Sequence, residues 1–376
     1  MPERSADDAA FIGLISGTSM DGIDAVVVRF GTVRLQVLAA ATLPFDDPLK
    51  DTLRALQRAP ERLPLAAVAT LDARLGEAFA AAALEIIALA GLTPDLIAAI
   101  GSHGQTLLHQ PGQDWATSVQ AGDPTRIAER TGIITVSDFR RADMAAGGQG
   151  APLAPLLHRA MLASPDEQRL VVNLGGIANL TVLEPDGSVR GFDTGPANCL
   201  LDEWYRRHHS DTGFDRDGRW ATGGRVDHAW LALLRRDAYL DRDPPKSTGI
   251  EYFSPAWLDR HLPAWAGSRP ADIQATLAEL TASSLADAVH RHASRGPARV
   301  LACGGGVHNR HLMDRLTRLV EPLGLETTAG YGLDPDYVEA ILFAWLACQR
   351  LSQQRLDTGP ITGARHSILA GALNQP

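Results

Sequence analysis

The residues with chemical potential sit in short glycine-bearing segments. Between two apolar runs lies Ser16, Gly17, Thr18, Ser19, Met20, Asp21 and Gly22. Small residues of this kind let backbone amides and hydroxyls approach a polyphosphate. Asp21 is the carboxylate there that could orient water bound to Mg²⁺, and Ile23 and Asp24 carry the candidate nucleotide contact into the next run. The same composition also suits a plain hairpin turn. No Lys follows the glycines, so the segment is not a Walker loop.

Gly304, Gly305 and Gly306, followed by Val307, His308 and Asn309, form a second bare stretch ahead of a helical pattern. A nucleotide can pass over such backbone at a helix start, and so can a closely packed strand. Gly175 and Gly176, within Asn173–Asn179, make a third turn that is either phosphate-type or an ordinary hairpin. Just downstream, Phe192, Asp193, Thr194, Gly195 and Pro196 put a carboxylate at the expected end of a strand, where a general base can be held rigidly. The competing role for Asp193 is to cap the next helix.

Single charged or ring residues fill out the set. His103, in Gly101–Thr106, is expected just after a strand and suits contact with a hydroxyl, carboxylate or phosphate, or a structural role. Arg140, Arg141 and Asp143 precede Gly147–Gly150, an arrangement for clamping a carboxylate or for a solvated charge pair. The loop Lys246–Gly249 is of open role, and Glu339 lies in the first turns of a late helix, where a carboxylate ordinarily favours the helix dipole. There is no HExxH, paired CxxC or Gly-x-Ser-x-Gly, which removes metalloprotease and serine hydrolase readings.

The elements that must position these residues occur twice. Residues 11–15, 23–28 and 33–40 read as three strands of an antiparallel meander, and 170–174, 177–183 and 189–192 repeat the plan. A helix is expected over 65–90, a strand over 96–100 ending in the Gly101–Gln105 loop, and a buried strand over 299–303. Asp334, Pro335 and Asp336 read as a cap with proline at the first helical position, the helix continuing to Leu351. Such duplication outlines two facing domains.

Composition narrows the class. A chain of 376 residues favours two domains over one core. No stretch approaches the roughly twenty apolar residues of a membrane span, and the opening residues do not read as a secretory signal, so a cytoplasmic protein is expected. Three cysteines, Cys199, Cys303 and Cys348, are too few and scattered for a disulfide framework. The net charge of −9 without a basic run argues against nucleic acid.

Taken in order, these segments resemble the anhydro-N-acetylmuramic acid kinase family nearly end to end. The matching pieces are Gly17–Gly22, His103–Thr106, Asp138–Arg140 with Gly147–Pro152, Asn173–Asn179, Phe192–Pro196, Pro245–Gly249, Gly304–Gly306, and Pro335–Asp336 with Glu339–Ala340. The resemblance implies a two-domain α/β fold of the actin-like ATPase, ribonuclease H-like type, with mixed sheets flanked by helices and an interdomain cleft. The expected domains are 1–136, joined by a C-terminal helix near 362–376, and 137–361. It implies ATP with Mg²⁺, nucleotide contacts at the first turn and at Gly304–Gly306, Asp193 as base, and Thr18, His103, Arg140 and Glu339 as sugar contacts. A homodimer rests on the resemblance alone.

In the implied reaction O6 of the 1,6-anhydro sugar is tied to C1. Water must open the ring while the departing O6 takes the γ-phosphoryl group, so phosphorus replaces the second carboxyl group of an inverting glycosidase. Two positions depart from the family pattern: Ala197 stands where glycine is usual and Ile250 where a charged residue is expected. A nucleotide-dependent sensor and a hexokinase-type enzyme remain as other readings. Only the anhydro-sugar kinase would consume a sugar lacking a free 6-hydroxyl.

Overall fold

The computed structural model describes residues 9–17, 22–31, 35–58, 64–112, 114–210, 213–244, 246–261 and 267–376. Two compact units emerge, one of Met1–Leu157 with Tyr337–Pro376 and one of His158–Asp336. The division differs from the expected 136 and 361, because the helix Val338–Leu351 packs against strands of the first sheet.

In the first unit, β1 (Ala10–Ser16), β2 (Gly22–Phe30) and β3 (Leu35–Pro44) form the antiparallel meander. β4 (Ile97–Gln110) and then β6 (Thr135–Ser137) extend it in parallel beyond β1, and β5 (Thr117–Ala121) pairs with the far half of β4. All seven residues of β1 are buried, as a strand covered on both faces requires. The helix Leu65–Leu89 covers one side, burying Leu71, Leu75, Phe79, Ala83 and Ile86 at helical spacing, and Gly91 in the left-handed region (φ 66°) follows its end. Each such Leu, Ile or Phe contributes about 1.5–3 kcal/mol by leaving water.

The helix Val338–Leu351 packs on β1 and β4, its backbone lying directly over Gly13 and Gly101. A methyl group on either glycine would run into the peptide groups of Ala340 or Phe343. Any side chain there would lift the helix off the sheet.

The second unit repeats the strand order. β7 (Gln168–Leu174), β8 (Ile177–Leu183) and β9 (Val189–Pro196) form the meander, and β10 (Ala298–Cys303) and β11 (Leu325–Thr327) extend it in parallel beyond β7. Its sheet runs β11-β10-β7-β8-β9, and the first runs β6-β4-β1-β2-β3 along the same path. The same mixed α/β plan thus occurs once in each unit. The helix Pro270–His292 packs Ala282, Leu285, Ala286 and Val289 into the core of this sheet.

Three expectations are corrected. The Gly101–Gln105 segment is not a loop after a strand: β4 continues through it. The late helix begins at Val338, because Asp334 Oδ1 accepts from the Asp336 amide at 3.0 Å and closes a turn ahead of it. The C-terminal stretch is not a helix, since Gly363 and Gly371 hold positive φ angles of 85° and 93°; it ends in β12 (Ala372–Asn374), antiparallel to β6. Among the described residues no helix is long and apolar enough to cross a membrane.

Candidate active-site residues

Asp193 lies within β9, which runs on through Pro196 instead of ending at the carboxylate. Pairing jumps from Asn179–Asp193 to Ala178–Gly195, so Thr194 is an extra residue beside it. Bulges of this kind re-aim a neighbouring side chain. The backbone of Asp193 is pinned by its amide on Lys246 O (3.2 Å) and by Tyr239 Oη on its carbonyl (2.9 Å). Its carboxyl oxygen Oδ2 accepts from the Thr248 amide at 2.9 Å and from Ser247 Oγ at 3.2 Å. Oδ1 has no partner among the described residues. Burial lifts the carboxyl to about 6 against the lowering effect of those two bonds, with Glu251 adding to the rise. Asp193 does not cap the next helix, which starts at Asn198 after Ala197.

Two of the glycine turns in this unit converge. The Gly175–Gly176 turn joins β7 to β8, and its carbonyls accept from the Ala197, Asn198 and Cys199 amides at 3.0–3.1 Å. Gly304 follows β10 in the left-handed region (φ 82°), and a side chain there would press on Asn173 and the Leu174 backbone. Its amide donates to Pro335 O at 2.8 Å, which holds the turn. Gly306 packs on Leu174, to whose carbonyl Asn198 Nδ2 donates at 3.0 Å. Gly305 is exposed, and a methyl group there would touch no protein atom within 4 Å. Two of the three glycines therefore close the turn and one offers bare backbone to a ligand. Asn309 spends its side chain on the helix that follows, accepting from the Leu312 amide at 3.0 Å.

In the first unit β4 delivers His103, with an irregularity between the Leu14–Ser102 and Ser16–Gln105 pairs and Gly104 in the left-handed region (φ 75°). His103 is buried. Its Nε2 accepts from Arg140 Nε at 3.0 Å, so the ring proton sits on Nδ1, facing Gly104 O at 3.1 Å. Burial first, and Arg140 second, hold the ring well below 6.5, as a neutral acceptor. The resemblance implied a sugar contact for His103; both of its ring nitrogens are committed to protein.

Arg140 Nη1 donates to Gly150 O at 2.9 Å, and Nη2 has no protein partner among the described residues. The turn that holds Gly150 is built on buried Asp143, which accepts from the Gly150 amide and from Thr362 Oγ1, both at 2.7 Å. Arg141 is instead exposed and faces Asp138 at 3.5 Å. Glu339, in the first turn of its helix, keeps an exposed surface, yet desolvation raises its carboxyl above the ordinary range against the attraction of Arg140, and Asp24 adds to the rise. Asp24 itself accepts from Thr42 Oγ1 at 2.7 Å. Gly17 follows β1 and Gly22 and Ile23 open β2, while Thr18, Ser19, Met20 and Asp21 lie outside the described residues.

Sequence reasoning left the role of Ser247 and Thr248 open and passed over Tyr239, Asp143 and Thr362 as supports. Their only signal is position in the fold, since Thr362 is 219 residues from its partner. The thiols are not candidates: Cys303 is buried and burial pushes Cys199 up to about 12.

The family model described as anhydro-N-acetylmuramic acid kinase matches residues 9–376. A protein of that name from Xanthomonas axonopodis pv. citri (strain 306) is 50% identical over 372 residues, covering 98% of each chain. One from Coxiella burnetii (strain Dugway 5J108-111) is 45% identical over 367 residues, covering 96% of each. Among solved structures, component A of the Acidaminococcus fermentans (R)-2-hydroxyglutaryl-CoA dehydratase covers 92% of this chain and 99% of its own, with a TM-score of 0.47 and 13% identity. That likeness is too distant to bear on function.

Proposed function

This chain belongs to the anhydro-N-acetylmuramic acid kinase family, and from that premise we propose how its residues divide the work. The enzyme uses ATP to convert 1,6-anhydro-N-acetylmuramic acid and water into N-acetylmuramate 6-phosphate, a step of cell-wall recycling. Asp193 is the general base: Oδ1 takes a proton from the water that attacks C1, the bond from C1 to O6 breaks as O6 joins the γ-phosphorus of ATP, and the bond from that phosphorus to the β,γ-bridging oxygen breaks to release ADP. The observation that carries this is the state of the carboxyl group. One oxygen is fixed by Thr248 and Ser247, the other has no partner among the described residues, and burial brings the group to about 6, near the operating pH of a base.

The Gly175–Gly176 turn and the exposed backbone of Gly305 receive the nucleotide, and Gly17 to Asp24 are further candidates for its contacts. Arg140 presents Nη2 to the carboxylate of the sugar's lactyl group, steadied by His103, and Glu339 contacts the sugar. Mg²⁺ binds through one or two carboxylates together with phosphate oxygens and water. The oxygen donors Asp21 and Asp24 suit that mode, and the ion would neutralise charge on the γ-phosphate.

The test is ATP consumption by the purified chain with 1,6-anhydro-N-acetylmuramic acid, with mass spectrometry of the product. A gain of one water and one phosphoryl group (HPO3) is expected. Turnover only with N-acetylmuramic acid or N-acetylglucosamine would replace this reading with that of a conventional sugar kinase.

A further inference from the structure

Phe192 and Thr194, the strand neighbours of Asp193, line a cavity of about 40 Å³ in the second unit. That is room for a small ion, since a water needs only roughly 10–15 Å³ on this measure. Four Arg and Lys side chains line it; besides Arg235, three converge from two elements: Arg242 and Lys246 from the stretch after the 237–241 turn, and Arg291 from the end of the helix Pro270–His292. None of the three has an ion-pair partner among the described residues. Arg242 and Lys246 instead lie 5.7 and 5.0 Å from the centre of the Tyr239 ring, and Lys246 Nζ donates to Tyr239 O (3.4 Å) and Leu240 O (3.2 Å).

Two carboxylates also line the space, and they do not balance it. Asp287 is taken by an ion pair with Arg235, leaving Asp241. The repulsion registers on the titrating groups. Lys246 is lowered by burial and next by Arg291, against the pull of Asp241 and Asp243, and His292 by burial and then by Arg190, Arg291 and Lys246, against Asp243. In a chain of net charge −9, unpaired cations gathered around a cavity are against the general trend.

We propose that this cavity is a second anion site, built for a phosphate-class oxyanion: free phosphate or the phosphate end of a monoester. The site communicates with Asp193 through one residue. Lys246 O accepts the Asp193 amide, and the next two residues, Ser247 and Thr248, hold its Oδ2. An anion that draws the Lys246 ammonium from the Tyr239 and Leu240 carbonyls moves the segment that fixes the base, so occupancy slows turnover.

The probe is inorganic phosphate, titrated calorimetrically into the full chain saturated with a non-hydrolysable ATP analogue so that the nucleotide turns are filled. The comparison protein carries Arg242→Ala and Arg291→Ala, two exposed positions outside the proposed catalytic machinery. The wild-type chain is expected to bind phosphate, the variant about tenfold or more weakly, as the loss of charge-assisted hydrogen bonds requires. Phosphate is expected to slow the wild-type at saturating ATP and sugar, and to slow the variant less. No binding by the wild-type, or equal binding by both, overturns the site; binding that leaves turnover unchanged overturns its link to Asp193. Competition of N-acetylmuramate 6-phosphate with inorganic phosphate assigns the site to the product, and lack of competition assigns it to free phosphate.

Discussion

Arg140 leans on a histidine that has to stay neutral: its Nε donates to His103 Nε2 at 3.0 Å. A protonated ring would place two cations face to face, and burial together with Arg140 keeps that from happening near neutral pH. The positioning of Arg140 therefore survives the pH range in which an ordinary histidine would switch.

Replacing His103 by Ala should loosen Arg140 without removing it. A hydrogen bond to a charged group contributes about 1.5–3 kcal/mol, so KM for the anhydro sugar is expected to rise about tenfold or more while KM for ATP holds. His103→Gln, which restores an acceptor, should recover part of the loss. Equal rises in both KM values would show a general structural role instead.

Asp193→Asn should lower kcat by about 10²- to 10⁴-fold and leave ATP affinity largely intact. In the wild-type, activity needs the carboxylate, so kcat should fall as pH drops through about 6, the value to which burial raises Asp193. An acid limb near pH 4 would contradict the buried state of the group.

Ser247→Ala removes one of the two bonds that favour the charged form of Asp193. The acid limb of the kcat profile should then move to higher pH, with the plateau nearly unchanged. A lower plateau with an unmoved limb would make Ser247 a contact to substrate.

Gly305→Ala and Gly304→Ala should separate ligand contact from folding. At Gly305 a methyl group meets no protein atom, so the fold should keep its stability while KM for ATP rises. At Gly304 the positive φ and the contacts with Asn173 and Leu174 should lower the thermal midpoint. If Gly305→Ala leaves ATP binding unchanged, the nucleotide does not cross that turn.

His158 is buried against Thr181 Oγ1 (2.9 Å), and burial alone brings it down to about 4. Below pH 6.5 the unfolded chain takes up a proton that the folded chain refuses, so stability drops as pH falls from about 6.5 to about 4. The loss amounts to about 3 kcal/mol at most. Denaturant titrations of His158→Gln across this range should show a slope smaller by about one proton; an unchanged slope would refute the neutral, buried ring.

The two meanders were legible because each alternates apolar runs with turn residues, and so were the helix over 65–89 and the glycine turn after β10. What misled was the meaning of certain glycines. Gly101 reads as the end of a strand, yet it is the point where β4 admits a helix backbone, and Gly195 reads as a turn but packs under Leu240 within β9. A breaker and a contact glycine look alike until the partner is known. Asp193 could be singled out by type and neighbourhood, whereas the residues that hold it, Tyr239 on its backbone at 46 positions away and Thr248 on its carboxyl at 55, depend on how the chain returns.

The contact of the helix Val338–Leu351 with Gly13 and Gly101 gives the first unit an internal datum. Peptide groups of Ala340 and Phe343 rest over two Cα atoms, a spacing set by hydrogen atoms and suited to weak Cα–H···O attraction. The nearest atoms at that seam are peptide groups, joined at Gly101 by the Ala347 methyl, so backbone contact sets the height of Glu339 above the sheet. Adjustment around Glu339 has to come from residues whose length can vary, and the backbone seam stays as a fixed reference against which they are measured.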